Sequence, residues 1–99
     1  AFMSSILGSV GGNDDGRAEL YRASKAALNS LVRSFRARHV RTDLTVLALH
    51  PGVVRTSMGG ANAPLDIATS VTGVADVIAQ RWGSGGQAFV DYRNQVVPW

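Results

Sequence analysis

Tyr21-Arg22-Ala23-Ser24-Lys25 is the stretch on which the reading of this 99-residue chain turns. Four residues make about one turn of an α-helix, so the phenol of Tyr21 and the ammonium of Lys25 emerge on one face. A tyrosine hydroxyl titrates near ~10 and is a poor acid at neutral pH, but a cation beside it favours the phenolate and brings the proton within reach of transfer. Lys25 is the only lysine, against nine arginines. Where this sequence needs generic positive charge it uses arginine, which sets the lysine apart. On its own, Tyr-x-x-x-Lys is more often a surface pair on a helix than a reaction centre, so the surrounding sequence has to decide.

Around that stretch the pattern is helical. From Tyr21 to about His39, Ala27, Leu28, Leu31, Val32 and Phe35 recur at helical spacing and predict the buried stripe, with the arginines mostly opposite. Upstream, Ala1-Phe2-Met3 reads as the end of a buried strand whose earlier residues are missing. Ser4-Ser5-Ile6-Leu7-Gly8-Ser9 turns out of it, and Gly11 to Gly16 is a turn-rich loop. Serines at the carboxyl end of a strand lie where open α/β sheets place their chemistry.

Downstream, the unbroken apolar run from residue 44 to 49 predicts a parallel strand covered on both faces, stopped by His50-Pro51-Gly52. The glycine-rich segment 57 to 66 reads as a mobile flap beside a site. A second helix is expected from Asp66 or Thr69 to Trp82, with Ile67, Val71, Val74, Ala75, Ile78 and Ala79 inward. Gln87 to Val90 is the last strand, followed by an apolar tail ending at Trp99. The fold class is therefore α/β, ordered strand, helix, strand, helix, strand. Right-handed crossovers would place the helices on both faces of the sheet only if the strand order reversed between them.

Composition narrows the function. Length allows one small domain, and a 45% apolar share is that of a globular chain. The absence of cysteine excludes disulfides and thiol nucleophiles and fits a reducing compartment. No apolar run approaches a membrane span, which points to a soluble, cytoplasmic protein. His39 and His50 lack ligand partners by spacing, so both read as structural and no metal is expected. The formal charge of +3 gathers in Arg33, Arg36, Arg38 and Arg41. A solvated helix face explains it more simply than nucleic-acid binding, since no aromatic interleaving accompanies the arginines. A non-catalytic basic interaction module is the rival reading.

A serine-bearing strand end, a Tyr-x-x-Ser-Lys helix and a strand followed by Pro51-Gly52-x-x-x-Thr56, in that order, resemble the short-chain dehydrogenase/reductase family. The likeness covers essentially the whole chain. The fuller text, Ser4 to Ser9, Tyr21 to Asn29 and His50 to Thr56, is similar to its carbonyl reductase and C-signal factor branch. The resemblance implies a Rossmann-type, doubly wound parallel sheet and NAD(P)-dependent interconversion of a carbonyl compound and its alcohol. The branch resemblance implies NADP as the cofactor, with NAD as the alternative. By it, Tyr21 is the general acid/base, Lys25 assists Tyr21 and meets the nicotinamide ribose, and Ser5 holds the carbonyl oxygen. Sixteen positions separate Ser5 from Tyr21, longer than the family commonly shows, and Ser9 is a lesser candidate for the same role. Pro51, Gly52, Val54 and Thr56 match the loop over the nicotinamide. Arg55 could face solvent or a phosphate. The family also often pairs the helix beginning at Tyr21 across a dimer interface.

The family's glycine-rich phosphate turn is absent, because Gly8, Gly11 and Gly12 do not form G-x-G-x-x-G between a strand and a helix. Residues 1–99 are therefore expected to be the carboxyl-terminal catalytic half of such a domain, active only with the missing amino-terminal half.

Overall fold

The computed structural model describes all of residues 1–99. Its elements are β1 (Phe2–Met3), a 3-10 turn (Ile6–Gly8), α1 (Glu19–Arg38), β2 (Val46–His50), α2 (Ile67–Arg81) and β3 (Gln87–Asp91). The strands form one parallel sheet in the order β1-β2-β3, with Ala48 opposite Phe2 and Phe89. Every residue of β2 is buried, as an apolar run in a covered central strand requires.

Side chains alternate across β2 and build a core on each face. Val46 and Ala48 join Val32, Phe89 and Val97 under α1, with Leu28 and Phe35 packed against them. Leu47 and Leu49 join Val77 and Val90 under α2, with Val74 and Ile78. The helices thus lie on opposite faces although the strand order does not reverse. The sheet is doubly wound as expected, but the two crossovers must have opposite hands, so one of them breaks the right-handed rule. Both helices are reached through long connections, residues 4–18 and 51–66, which free them from the short-loop geometry behind that rule.

The element boundaries moved for local reasons. Helix α1 begins at Glu19, two residues before Tyr21, where an acidic first turn complements the helix dipole. Leu44 and Thr45 do not extend β2. The Leu44 amide closes a turn on Arg41 O, and Thr45 Oγ1 accepts the Gly85 amide at 2.8 Å. At the other end His50 stays in the ladder opposite Asp91. Asp66 caps α2 by accepting the Thr69 amide at 2.7 Å.

Helix α1 turns Leu28, Val32 and Phe35 to the sheet as expected but not Ala27 and Leu31, and on α2 only Val74 and Ile78 of the expected stripe face inward. On α1, Ala27 and Leu31 are exposed in a row with Leu20, while Arg22, Asn29 and Val32 are buried. On α2, Ile67, Val71, Ala75 and Ala79 face outward, and Ser70, Val74, Val77 and Ile78 turn in. The polar exceptions are paired, since Ser70 Oγ donates to Pro51 O at 2.7 Å.

The carboxyl-terminal tail covers the outer edge of β3. Val96 bridges Val90, and the Val97 amide donates to Phe89 O at 2.8 Å. Trp99 packs on Phe89, and its carbonyl accepts the Val10 amide at 2.7 Å. The edge of β1 has no partner strand. Most arginines engage their own chain: Arg33 lies over Trp99, Arg36 reaches Gly86 O, and Arg41 pairs with Asp43. No helix is long and apolar enough to cross a membrane.

Candidate active site

A cleft of about 560 Å³ opens at the carboxyl ends of the strands. Among its walls are Ser5, Tyr21, Pro51, Gly52, Val54 and Thr56, six of the seven residues singled out from sequence. The seventh, Lys25, stands one turn behind Tyr21. Its Nζ lies 5.9 Å from the tyrosine ring centroid and donates to Met3 O at 3.3 Å. Strand end, helix and loop therefore converge on one cleft.

The two serines that leave β1 have different tasks. Ser4 is buried and donates to Asn29 Oδ1 at 2.6 Å, while Asn29 Nδ2 donates to Gly8 O at 3.3 Å. A side chain at Gly8 would crowd α1, since its Cβ would lie 2.9 Å from the Lys25 Cβ. Ser4, Gly8 and Asn29 thus clamp the 3-10 turn to the helix that carries Tyr21. Ser5 caps that turn, accepting the Leu7 amide at 3.1 Å, which occupies its oxygen and leaves its hydrogen free to donate into the cleft. Ser9 lies outside the cleft. It is 2% exposed and accepts the Gly12 amide, so it holds the following turn.

Sequence reasoning assigned no role to Asn29. A usable signal was present: it sits four residues beyond Lys25, a polar side chain on the helix face turned toward the serine turn. Asn29→Ala leaves the buried Ser4 hydroxyl and the Gly8 carbonyl unpaired, and is expected to cost about 2–3 kcal/mol of stability. Ser4→Ala should cost about half as much, because the Asn29–Gly8 bond survives it. Urea unfolding of both variants measures the difference.

The extra length between Ser5 and Tyr21 is folded rather than loose. Asp15 accepts the Arg17 amide at 2.9 Å and pairs with Arg22 Nη2 at 3.1 Å, and Arg22 Nε donates to Arg17 O. Hydrogen bonds from Arg17 hold the Asp15 carboxyl below the usual range. The middle residue of Tyr21-Arg22-Ala23 thus anchors the loop to the helix.

On the opposite wall, Gly52 adopts φ +88, and a Cβ there would collide with Leu65. Val54 bridges Leu65, and the Arg55 amide donates to Leu65 O at 2.7 Å. Thr56 Oγ1 accepts the Gly59 amide at 3.1 Å. Arg55 Nη1 donates to Ala63 O at 3.1 Å, and its Nη2 stands 4.0 Å from Asp66, so it staples the excursion. The segment read as a mobile flap is therefore tied at several points. The amides of Gly52, Val53 and Val54 have no acceptor within the protein. They form a set of free donors on the cleft wall.

His50 lines the same cleft, 9% exposed, with Nδ1 buried and unpaired. Burial pushes its pKa below the usual 6.5, against the opposing pull of Asp91. The folded state therefore favours the neutral ring. Its contribution to stability is present above pH ~6.5 and is lost as pH falls through the lowered folded value, where the unfolded chain binds the extra proton. Urea midpoints at pH 7.5 and pH 5.5 should fall further in the wild type than in His50→Gln. Equal falls would remove His50 as the cause. The lowered Asp15, Asp43 and Asp66 carboxyls act in a separate window, below about pH 4.

The short chain dehydrogenase family model matches residues 1–65. C-signal of Myxococcus xanthus is 41% identical over 99 residues, which is 100% of this chain and 60% of that protein. A short-chain dehydrogenase/reductase from Burkholderia multivorans, crystallised with bound NADP, is 49% identical with a TM-score of 0.93, over 98% of this chain and 42% of that one. A carbonyl reductase from Pseudomonas aeruginosa PAO1 in complex with NADP is 46% identical with a TM-score of 0.86, over 99% of this chain and 43% of that one. The chain therefore spans about three fifths of C-signal and two fifths of the solved proteins. With the serine turn, the Tyr21–Lys25 helix and the Pro51–Thr56 loop meeting at one cleft, and with that match over most of its length, this chain belongs to the short-chain dehydrogenase family.

Proposed function

We propose that these residues are the chemical half of an NADP-dependent carbonyl reductase. One observation carries the reading: Ser5, Tyr21 and the Pro51–Thr56 loop, from three separate elements, share the walls of one cleft, with Lys25 a turn behind. Tyr21 gives its proton to the carbonyl oxygen of the substrate and takes it back from the alcohol in reverse. Ser5, its oxygen already engaged by the Leu7 amide, donates its hydroxyl hydrogen to the same carbonyl oxygen. The Lys25 ammonium stabilises the charge left on the Tyr21 oxygen and, as the family resemblance implies, meets a ribose hydroxyl of the cofactor.

The free amides of Gly52, Val53 and Val54 suit the carbonyl of a nicotinamide carboxamide, and Thr56 can donate to it as well. NADP, when bound, supplies the hydride. The NADP carried by the Burkholderia and Pseudomonas relatives favours NADP over NAD. No G-x-G-x-x-G turn lies in residues 1–99, so the pyrophosphate must be held by a further part of the polypeptide or by a partner. The 99 residues alone are expected to be inactive, because a cofactor without its pyrophosphate site loses much of its orientation.

The test is NADPH oxidation by the full-length polypeptide across a panel of ketones and aldehydes, beside the isolated 99-residue piece. Equimolar alcohol and NADP from the first and none from the second is the expected result. Failure of the full-length polypeptide with every carbonyl would overturn the reading.

A further inference from the structure

His50 is the one ionisable base on the walls of the cleft, and the reaction proposed above makes no use of it. It closes β2 and stands directly before Pro51 and Gly52, where the free loop amides begin. The side chain is buried and its ring makes no hydrogen bond. Nδ1 is sealed from solvent without a partner, while Nε2 keeps its contact with the cleft. Buried side-chain nitrogens are almost always paired, so an orphan of this kind calls for a reason. A titratable ring beside a reaction centre is where that reason is functional.

The ladder neighbours of His50 are β1 on one side and β3 on the other. From the end of β1 come only the hydroxyls of Ser4 and Ser5, and from α2 only that of Ser70, which is bonded to Pro51 O. From β3 comes Asp91, the register partner of His50 and the one carboxylate acting on the ring. That carboxylate is already engaged. Its Oδ1 accepts the Arg93 and Gln95 amides, each at 2.9 Å, and its Oδ2 pairs with Arg93 Nη2 at 3.3 Å. From α1 come Tyr21, on the same cleft wall, and Lys25, whose ammonium is held by Met3 O. A proton on His50 therefore adds a cation to a wall that already carries three free amide dipoles, with no unoccupied carboxylate to pair it.

The two redox forms of a nicotinamide differ at this place by one charge. The oxidised ring is a cation and the reduced ring is neutral, although both bear the same carboxamide for the loop amides. Resting on the reductase reading above, we infer that His50 makes the site discriminate between oxidised and reduced cofactor according to pH. The neutral ring accommodates both forms, and the protonated ring repels the oxidised one. Acid then favours NADPH in the cleft and hastens departure of the oxidised product, which couples the direction of the reaction to pH. By linkage, binding of oxidised NADP expels the His50 proton. Burial places this response on the acid side of the ordinary histidine range.

The test is calorimetric measurement of the dissociation constants of oxidised NADP and NADPH for the full-length polypeptide between about pH 8 and pH 5. The Tyr21→Phe variant is used throughout, which stops turnover and removes the phenol as a source of pH dependence. The ratio of the two constants, oxidised over reduced, cancels the titration of the phosphates that both dinucleotides share. In Tyr21→Phe that ratio is expected to rise about 10-fold toward the acid end, the effect of two like charges at an effective dielectric of ~20. With His50→Gln added it should stay within about twofold. His50→Asn, run alongside, keeps a polar atom at the Nδ1 position and should give the same flat ratio should the longer side chain disturb the loop. A ratio that does not move with pH in Tyr21→Phe, or that moves as much in the His50 variants, overturns the inference and leaves the reductase reading in place. Binding of neither dinucleotide at any pH overturns the reductase reading and this inference with it.

Discussion

On the proposed reductase reading, Tyr21→Phe is expected to lower kcat for carbonyl reduction by the full-length polypeptide by about 10³-fold, within the usual range for removing a general acid. The substitution deletes one oxygen from a side chain on the cleft wall. No other lining residue can replace it as a proton donor. Ser5 and Thr56 hydroxyls are far weaker acids than a phenol, and His50 favours the form that lacks the spare proton. The fold should be indifferent. The Tyr21 contact that holds the helix is its backbone carbonyl, which accepts Ser24 Oγ at 2.7 Å, and phenylalanine keeps it. The signature is thus a fall in kcat with the urea midpoint unmoved and KM for NADPH changed little. A loss of less than about 10-fold would mean that the proton comes from elsewhere.

Gly52→Ala should cost about 2–5 kcal/mol of stability and impair cofactor binding as well. The backbone there sits at φ +88, where an L side chain costs about 1–2 kcal/mol. The added methyl also runs into Leu65 and comes within 3.1 Å of the Tyr92 ring, and such overpacking adds about 1–3 kcal/mol. Leu65 cannot retreat freely, because its backbone bridges Val54 and accepts the Arg55 amide. Displacing it loosens the loop that presents the free Gly52, Val53 and Val54 amides. Leu65→Ala in the same chain removes the collision and leaves the backbone strain, so the double variant should recover part of the loss. Urea unfolding gives the stabilities and KM for NADPH gives the loop. A single variant within about 0.5 kcal/mol of wild type would show that the glycine is not required.

What could be read in advance was what depends on spacing along one element. Tyr21 and Lys25 share a face because any helix makes them do so, and the order of strands and helices follows from short apolar runs bounded by turn residues alternating with stretches of helical period. Which stripe of a helix meets the sheet was readable only in part: Leu28, Val32 and Phe35 of α1 and Val74 and Ile78 of α2 turn inward as expected, and the other residues of both stripes do not. Both helices carry apolar residues on two sides, and the choice was made by tertiary partners: Asn29 is buried because Ser4 and Gly8 await it, and Ser70 because Pro51 O does. The outward stripe of α2 was misassigned to the core for the same reason, since Ile67 and Val71 line the cleft instead. The segment 57–66 looked loose because its middle, Gly59-Gly60-Ala61-Asn62-Ala63-Pro64, is made of small and turn-forming residues. Its ties run through the Val54–Leu65 bridge and the Arg55 side chain, contacts that composition does not encode. The opposite hands of the two crossovers followed from no local signal at all.

The central claim is that the Tyr21–Ser5 cleft reduces a carbonyl with a hydride taken from NADPH. The most direct measurement is mass spectrometry of the alcohol formed by the full-length enzyme from NADPH deuterated at the transferring position of the nicotinamide. The account predicts that the product carries the deuterium on the former carbonyl carbon in wild type, and that Tyr21→Phe forms almost no alcohol. Alcohol formed without the label, or labelled alcohol formed at an undiminished rate by Tyr21→Phe, would contradict it.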